Sequence, residues 1–76
     1  MPCRGPFFTL LASEPDARRL PALWLEAVSE DAQGLAPRDA SELVVLYLGA
    51  TLRELERRGV PALVAVAQLG RAASGC

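Results

Sequence analysis

The chain contains few of the side chains that commonly take part in catalysis. It has no histidine and no lysine, and it has two cysteines, Cys3 and Cys76, near opposite ends of its 76 residues. The common nucleophilic triads need a histidine or lysine base. A structural zinc site needs four ligands of the thiolate or imidazole kind. The sequence therefore predicts no nucleophilic active site, no metal centre and no cofactor.

The two cysteines leave three arrangements open. We expect free thiols on frayed tails, at residues 1–5 and 74–76. A disulfide between Cys3 and Cys76, or a bridge between two chains, would also fit, because the number of cysteines alone does not determine their pairing.

Paired carboxylates are present, but their spacing is wrong for a shared catalytic role. They occur at Glu30–Asp31 and at Glu54–Glu56. Residues one or two positions apart on a helix point in different directions, so neither pair would face one substrate. The glycines at 34, 49, 59 and 70 are isolated, so no glycine-rich phosphate loop is predicted. We therefore expect a protein that is not an enzyme.

The composition is that of one small folded domain spanning residues 1–76. Half of the residues, 51%, are hydrophobic and the net charge is only −1, whereas disordered chains combine low hydrophobicity with high net charge. All eight basic residues are arginine, which is typical of a GC-rich bacterial coding sequence. No apolar run reaches the ~18–20 residues that a membrane-spanning helix needs, so the cytoplasm is the expected location.

Proline and glycine divide the chain into segments. Gly34 and Gly59 are each followed by an apolar residue and shortly afterwards by a proline, a pattern typical of a helix that ends on a left-handed glycine. Pro37 and Pro61 then stand where proline suits the first turn of a new helix. These prolines and glycines predict a helix over about 38–58 and a further helix that ends near 33, and they mark off a fourth segment at about 61–73. Pro21 either starts that helix or kinks one that begins near 16.

Two segments remain open between helix and strand. Residues 6–13 have helical spacing of Phe7, Leu10 and Leu11, although the same run could form a short strand. Ser13 and Asp16 would then form a capping sequence for the next helix. Residues 61–73 contain valines that favour a strand at 62–67, but their alanines favour a helix.

The segment 38–58 has the clearest amphipathic pattern. Its predicted buried stripe consists of Val44, Val45, Leu48, Leu52 and Leu55, edged by Tyr47 and Thr51. Together with the segment before it, this stripe predicts a core made of Trp24, Val28, Val44, Leu48, Leu52 and Leu55. We expect Trp24 to anchor the core and not to stack on a ligand.

Two groups of apolar residues remain outside this core and are the candidate partner-binding residues. One group lies on the opposite side of the third helix: Leu43, Leu46 and Ala50. The other lies in the fourth segment, which is apolar nearly all round: Leu63, Val66 and Leu69. Joining them across a two-fold axis would cover both, and Leu46→Glu and Val66→Glu should then dissociate the dimer. Alternatively, the segment that carries Phe7 and Phe8 covers one group and leaves a monomer.

The predicted fold is therefore all-α, a small three- to four-helix bundle completed by dimerisation. The predicted function is a non-enzymatic protein–protein interaction module of the adaptor, inhibitor, antitoxin or assembly-factor type, whose partner is itself or another protein. The alternative is a dimeric helix-turn-helix-like DNA-binding regulator. Acidic residues interrupt the arginines at 53, 57 and 58, and no basic stripe is present, so we expect neither nucleic acid nor membrane as a partner.

Overall fold

The structure, a computed structural model, describes residues 5–74, and this part of the chain is helical without any strand. Four α-helices follow one another: α1 (Gly5–Ser13), α2 (Leu20–Asp31), α3 (Pro37–Arg57) and α4 (Ala62–Ser74). A short 3₁₀ turn, Ala17–Arg19, leads into α2. The prediction of an all-α bundle is confirmed, and both segments left open between helix and strand are helices.

The expected tails are only partly within the described residues. Gly5 and Ser74, which we placed in frayed tails, belong to α1 and α4. Cys3 and Cys76 lie outside the described residues, and so does the question of their pairing.

Glycine ends the third helix in the way the sequence predicts. Gly59 has a positive φ of 93°, and its N–H donates to the carbonyl of Glu56. The N–H of Val60 donates to the carbonyl of Leu55 at 2.9 Å. These two bonds form a Schellman motif, which satisfies carbonyls that have no partner inside the helix. Gly34, with φ 81°, likewise lies just beyond the end of α2.

The first residues of the helices show the role of Pro21 and of the predicted capping sequence. Pro21 lies in the first turn of α2, so it starts the helix and does not kink it. Asp16 is the N-cap of the 3₁₀ turn, where its carboxylate accepts the N–H of Arg18 at 3.0 Å. The predicted capping role of Ser13 is wrong, because Ser13 is the last residue of α1 and its hydroxyl donates to the carbonyl of Leu10.

The buried line of α3 runs through the residues we placed at the edge of the stripe. Tyr47, Thr51 and Leu55, spaced four apart, are fully buried. Thr51 tolerates burial because its hydroxyl donates to the carbonyl of Tyr47 at 2.8 Å. The helix is thus rotated about its axis from the predicted position, and the core takes in two polar side chains whose hydrogen bonds are made.

This rotation corrects part of the predicted core. Trp24 and Leu55 are buried as expected. Four other predicted core residues are only half-buried at its margin: Val28, Val44, Leu48 and Leu52. Val45 is not in the core at all, since 67% of its surface is exposed.

The apolar core lies where all four helices meet, and α1 completes it. Its buried members are Phe7, Leu11, Leu20, Trp24, Tyr47, Leu55, Ala65 and Leu69. The ring of Phe7 stacks on that of Tyr47 with 4.2 Å between centroids. The first helix therefore packs on α3, and it is this contact that builds the surface described next. No helix in the described range 5–74 is long and apolar enough to cross a membrane.

Candidate interaction site

An open groove with a largely apolar lining lies between α1 and α3. We call it the α1–α3 groove. Its apolar lining consists of Phe8, Leu11, Ala12, Leu46 and Ala50. Its charged rim consists of Arg53, Glu54, Glu56 and Arg57. An apolar floor inside a polar rim is the usual anatomy of a protein–protein interface.

The three partner-binding residues predicted on α3 differ in how far they reach this groove. Leu46 is 59% exposed and lines it. Ala50 lines it as well but is half-buried, and Leu43 is half-buried against the core. The reason is α1, which packs along this side of α3 and places Phe8 in the same groove. The N-terminal segment thus covers part of the predicted surface, as the monomer alternative expected, but it leaves Leu46 open.

The predicted surface on α4 also needs one correction. Leu69 is only 3% exposed and belongs to the core, where it lies one turn from the buried Ala65. Leu63 and Val66 are 86% and 54% exposed, and Val64 is exposed with them. We call these three residues the α4 face. A helix that is apolar nearly all round is here buried on one side only.

The rim of the groove is held together by one carboxylate. Glu54 accepts hydrogen bonds from the guanidinium groups of Arg57 and Arg58, the latter at 2.8 Å. These bonds, that from Arg57 first, lower the pKa of Glu54 from its ordinary value of 4.5 to about 2. The carboxylate is therefore charged at neutral pH.

Arg58 joins this rim to the first helix. Its Nη2 donates to the backbone carbonyl of Leu11 at 2.9 Å and, at 3.4 Å, to that of Ala12. Both carbonyls belong to the last turn of α1, where they have no acceptor role inside the helix. A cation at a helix C-terminus also complements the helix dipole. Arg58 thus fixes the end of α1 against α3 and keeps the groove in shape.

The outward face of α3, directly opposite its buried line, carries four residues in a row. Glu42, Leu46, Gly49 and Arg53 follow at intervals of four, three and four, which keeps them on one side of a helix. Glu42 and Arg53 are exposed, and neither forms an ion pair within the described part of the chain. The predictions from sequence missed this row because they considered apolar stripes alone. The alternation of three and four was the available signal.

The two carboxylates of each pair have different surroundings in the structure. Asp31 accepts a hydrogen bond from Tyr47, and Glu30 is exposed without joining it. Glu54 is bound by arginines, whereas Glu56 is exposed on the rim. Among residues 5–74, no three acidic, cysteine or histidine side chains lie close enough to hold a metal ion.

The arginine cluster near the end of α3 is largely used inside the molecule. Arg57 and Arg58 share Glu54, and Arg58 also binds the carbonyls of α1. Only Arg53 of this cluster extends without an ionic partner in the described residues. A single free arginine is a weak basis for contacts to a phosphate backbone.

Comparison of the chain with protein families, curated proteins and solved structures finds no match.

Proposed function

We propose that this chain is a small non-enzymatic protein–protein interaction module that binds its partner through the α1–α3 groove. The observation that carries the proposal is the exposure of Leu46, 59%, beside Phe8, 37%, in a concave apolar surface with a charged rim. Burial of a leucine or phenylalanine side chain stabilises a contact by about 1.5–3 kcal/mol when it is complete. Two such side chains in one groove can therefore anchor a partner.

The shape of the groove favours a helical partner. Two helices, α1 and α3, form its walls, and an amphipathic helix laid between them would place its apolar side on Leu46 and Ala50. The polar side of such a helix would meet the rim, where both signs of charge are present in Arg53 and Glu56. The module would act in the cytoplasm as an adaptor, inhibitor, antitoxin or assembly factor does, by occupying a surface of its partner.

The α4 face is a second apolar surface and extends the proposal. Leu63 and Val66 are 86% and 54% exposed, and a group of exposed apolar side chains can mark a contact surface. We assign it a supporting role because none of its three residues is charged.

Site-specific photocrosslinking in the cells that encode the chain tests the proposal. A photoreactive residue replaces Leu46 in one variant and Gln33 in a control variant. Gln33 is exposed in the loop between α2 and α3, outside the lining of the groove. We expect a discrete protein adduct from position 46 and none from position 33, because only the first lies in the binding surface.

Two outcomes would contradict the proposal. The first is an absence of protein adducts at position 46, or the same adducts from both positions. The second is an adduct with DNA, together with retention on DNA that salt reverses, since that would favour the regulator class over an interaction module.

A further inference from the structure

We propose that the partner is a second copy of this chain, whose α3 lies antiparallel across the outward face of the first α3 and meets the α1–α3 groove at Leu46 and Arg53. This inference rests on the proposed function and names its partner. It is carried by the order of the four residues on that face: Glu42, Leu46, Gly49 and Arg53.

The outward face of one α3 is complementary to the same face of a second α3 that runs in the opposite direction. From the N-terminal end it presents an acid, a large apolar side chain, a residue without a side chain and a base. An antiparallel copy presents the same residues in the opposite order: the base, the glycine, the large apolar side chain and the acid. A two-fold axis midway between Leu46 and Gly49 therefore brings Glu42 of each copy level with Arg53 of the other. It also brings Leu46 level with Gly49.

The dimensions of a helix agree with this register. Glu42 and Arg53 are eleven residues apart, which is about 16 Å along the helix axis. The two ion pairs would thus bracket an apolar centre of that length, made by Leu46 with Val45 and Ala50 beside it. Val45 is 67% exposed, although we expected it in the core. This contact gives that exposure a reason.

Gly49 provides the space for the partner's leucine. A methyl group added at Gly49 would have only one neighbour within 4 Å, the Nη2 atom of Arg53 at 3.9 Å, so the surface above it is open. A glycine in a helix interior costs stability relative to alanine, by about 0.5–1 kcal/mol. A close approach by a second helix is a reason for the helix to carry that cost.

The charges select the antiparallel orientation. A parallel arrangement would set Glu42 against Glu42 and Arg53 against Arg53 of the other copy, and like charges across an interface are unfavourable. Beyond the row, Arg38 of one copy lies level with Arg57 of the other, and Asp39 lies level with Glu56. Each side there carries one charge of each sign, so these ends favour neither orientation strongly. The selection therefore comes from Glu42 and Arg53, which have no ionic partner within the described part of one chain.

Charge reversal offers a sharp test. In E42R, both ion pairs of the dimer become arginine against arginine, and in R53E both become glutamate against glutamate. Each variant alone should associate at least roughly ten-fold more weakly than the parent. A mixture of the two should form a one-to-one heterodimer, because each pair then joins opposite charges again. Sedimentation equilibrium from micromolar to near-millimolar concentration measures all three, and added salt should weaken the heterodimer.

Matched controls separate this contact from a general effect of charge. E26R on α2 and R71E on α4 change the net charge by the same amounts at exposed positions away from the groove. Each should associate as the parent does, and their mixture should show no added preference for the heterodimer. Circular dichroism of every variant should match that of the parent, because all four positions are exposed.

Three results would overturn the inference. A parent that sediments at its single-chain mass of 8.1 kDa at every concentration would exclude self-association. The proposed function would survive that result if position 46 still crosslinks to a different protein. A mixture of E42R and R53E that stays monomeric would exclude the antiparallel register. Dissociation by Val66→Glu, without any effect of E42R or R53E, would place the contact on the α4 face instead.

Discussion

The hydroxyl of Tyr47 lies 2.6 Å from a carboxylate oxygen of Asp31 and donates a hydrogen bond to it. Tyr47 is fully buried in the middle of α3, whereas Asp31 is exposed at the last position of α2. On its other side the Tyr47 ring stacks on Phe7 of α1. Three helices thus meet at one side chain, and its polar end is satisfied at the border between core and solvent.

Removal of this hydroxyl should destabilise the protein. We expect Tyr47→Phe to lower the free energy of unfolding by about 1–3 kcal/mol, since the bond is made to a charged acceptor. Urea denaturation measures the loss. Asp31→Ala alone would mix two effects, because an acid at a helix C-terminus is itself unfavourable. The double variant separates these effects. In the Tyr47→Phe background, Asp31→Ala should lower the free energy of unfolding less than it does in the parent, or should raise it. The same effect in both backgrounds would show that the bond contributes nothing.

Two neighbouring arginines should differ in their contribution to stability. The side chain of Arg58 is 16% exposed and bonds to Glu54 and to the α1 carbonyls, whereas that of Arg57 is 67% exposed and bonds to Glu54 alone. Arg58→Ala should cost about 1–3 kcal/mol, because it removes the part-buried bonds to Glu54 and to the carbonyl of Leu11. Arg57→Ala should cost clearly less. Thermal unfolding of the two variants compares them, and equal losses would mean that the bond to α1 is not formed.

The rim carboxylate should make stability fall in acid. The pKa of Glu54 is about 2 in the folded protein and has its ordinary value of 4.5 when unfolded. Between these values the unfolded chain binds more protons, so its stabilising effect is complete above pH 4.5 and is lost as the pH falls towards 2. Denaturation of Glu54→Gln at several pH values should show a shallower dependence than the parent in that window. Parallel curves would contradict the assignment.

The rotation of α3 changes which leucine matters most. Leu55 is fully buried, and its truncation to alanine should cost about 2–5 kcal/mol. Leu52, which we expected in the core, is only half-buried, so Leu52→Ala should cost less than half as much. Denaturant midpoints of the two variants test the order. If Leu52→Ala were the more harmful change, the buried line through Tyr47 and Thr51 would be wrong.

One substitution should stabilise the fold. The side-chain oxygen of Gln68 on α4 is buried and finds no hydrogen-bond partner within the described residues. An unsatisfied buried acceptor costs about 1–3 kcal/mol, so Gln68→Met, which keeps the length of the side chain, should raise the melting temperature. Gln33→Met, at an exposed loop position, is the control and should leave it unchanged. A lower melting temperature for Gln68→Met would show that the oxygen has a partner.

The helices and their ends could be predicted from the sequence because they depend on local chemistry. Gly34 and Gly59 adopt the left-handed conformation that few other residues tolerate, and Pro21 and Pro37 occupy first turns. The segment 61–73 was left open between helix and strand, and it forms α4, in agreement with its alanines. Each of these signals acts within one or two turns of the chain.

The orientation of the helices could not be predicted in the same way. Hydrophobicity ranked Val45 and Leu52 above Thr51 as core residues, but Thr51 satisfies its hydroxyl on its own helix and Tyr47 finds Asp31 sixteen residues away. In the candidate site, Leu46, Leu63 and Val66 are exposed as the pattern indicated, and their role in binding stays a prediction. Leu69 was misplaced because burial of α4 depends on which side meets its neighbours, and Phe8 was missed because only the packing of α1 brings it beside Leu46.

The bond from Arg58 to the carbonyl of Leu11 spans 47 positions of the chain. Because a chain is made from its N-terminal side, α1 is translated 47 positions before the donor that caps it. Until then its last carbonyls remain hydrated, and a nine-residue helix has little stability of its own. α1 is thus expected to dock only after α3 is complete, and the apolar residues that line its groove stay open to other proteins for that interval.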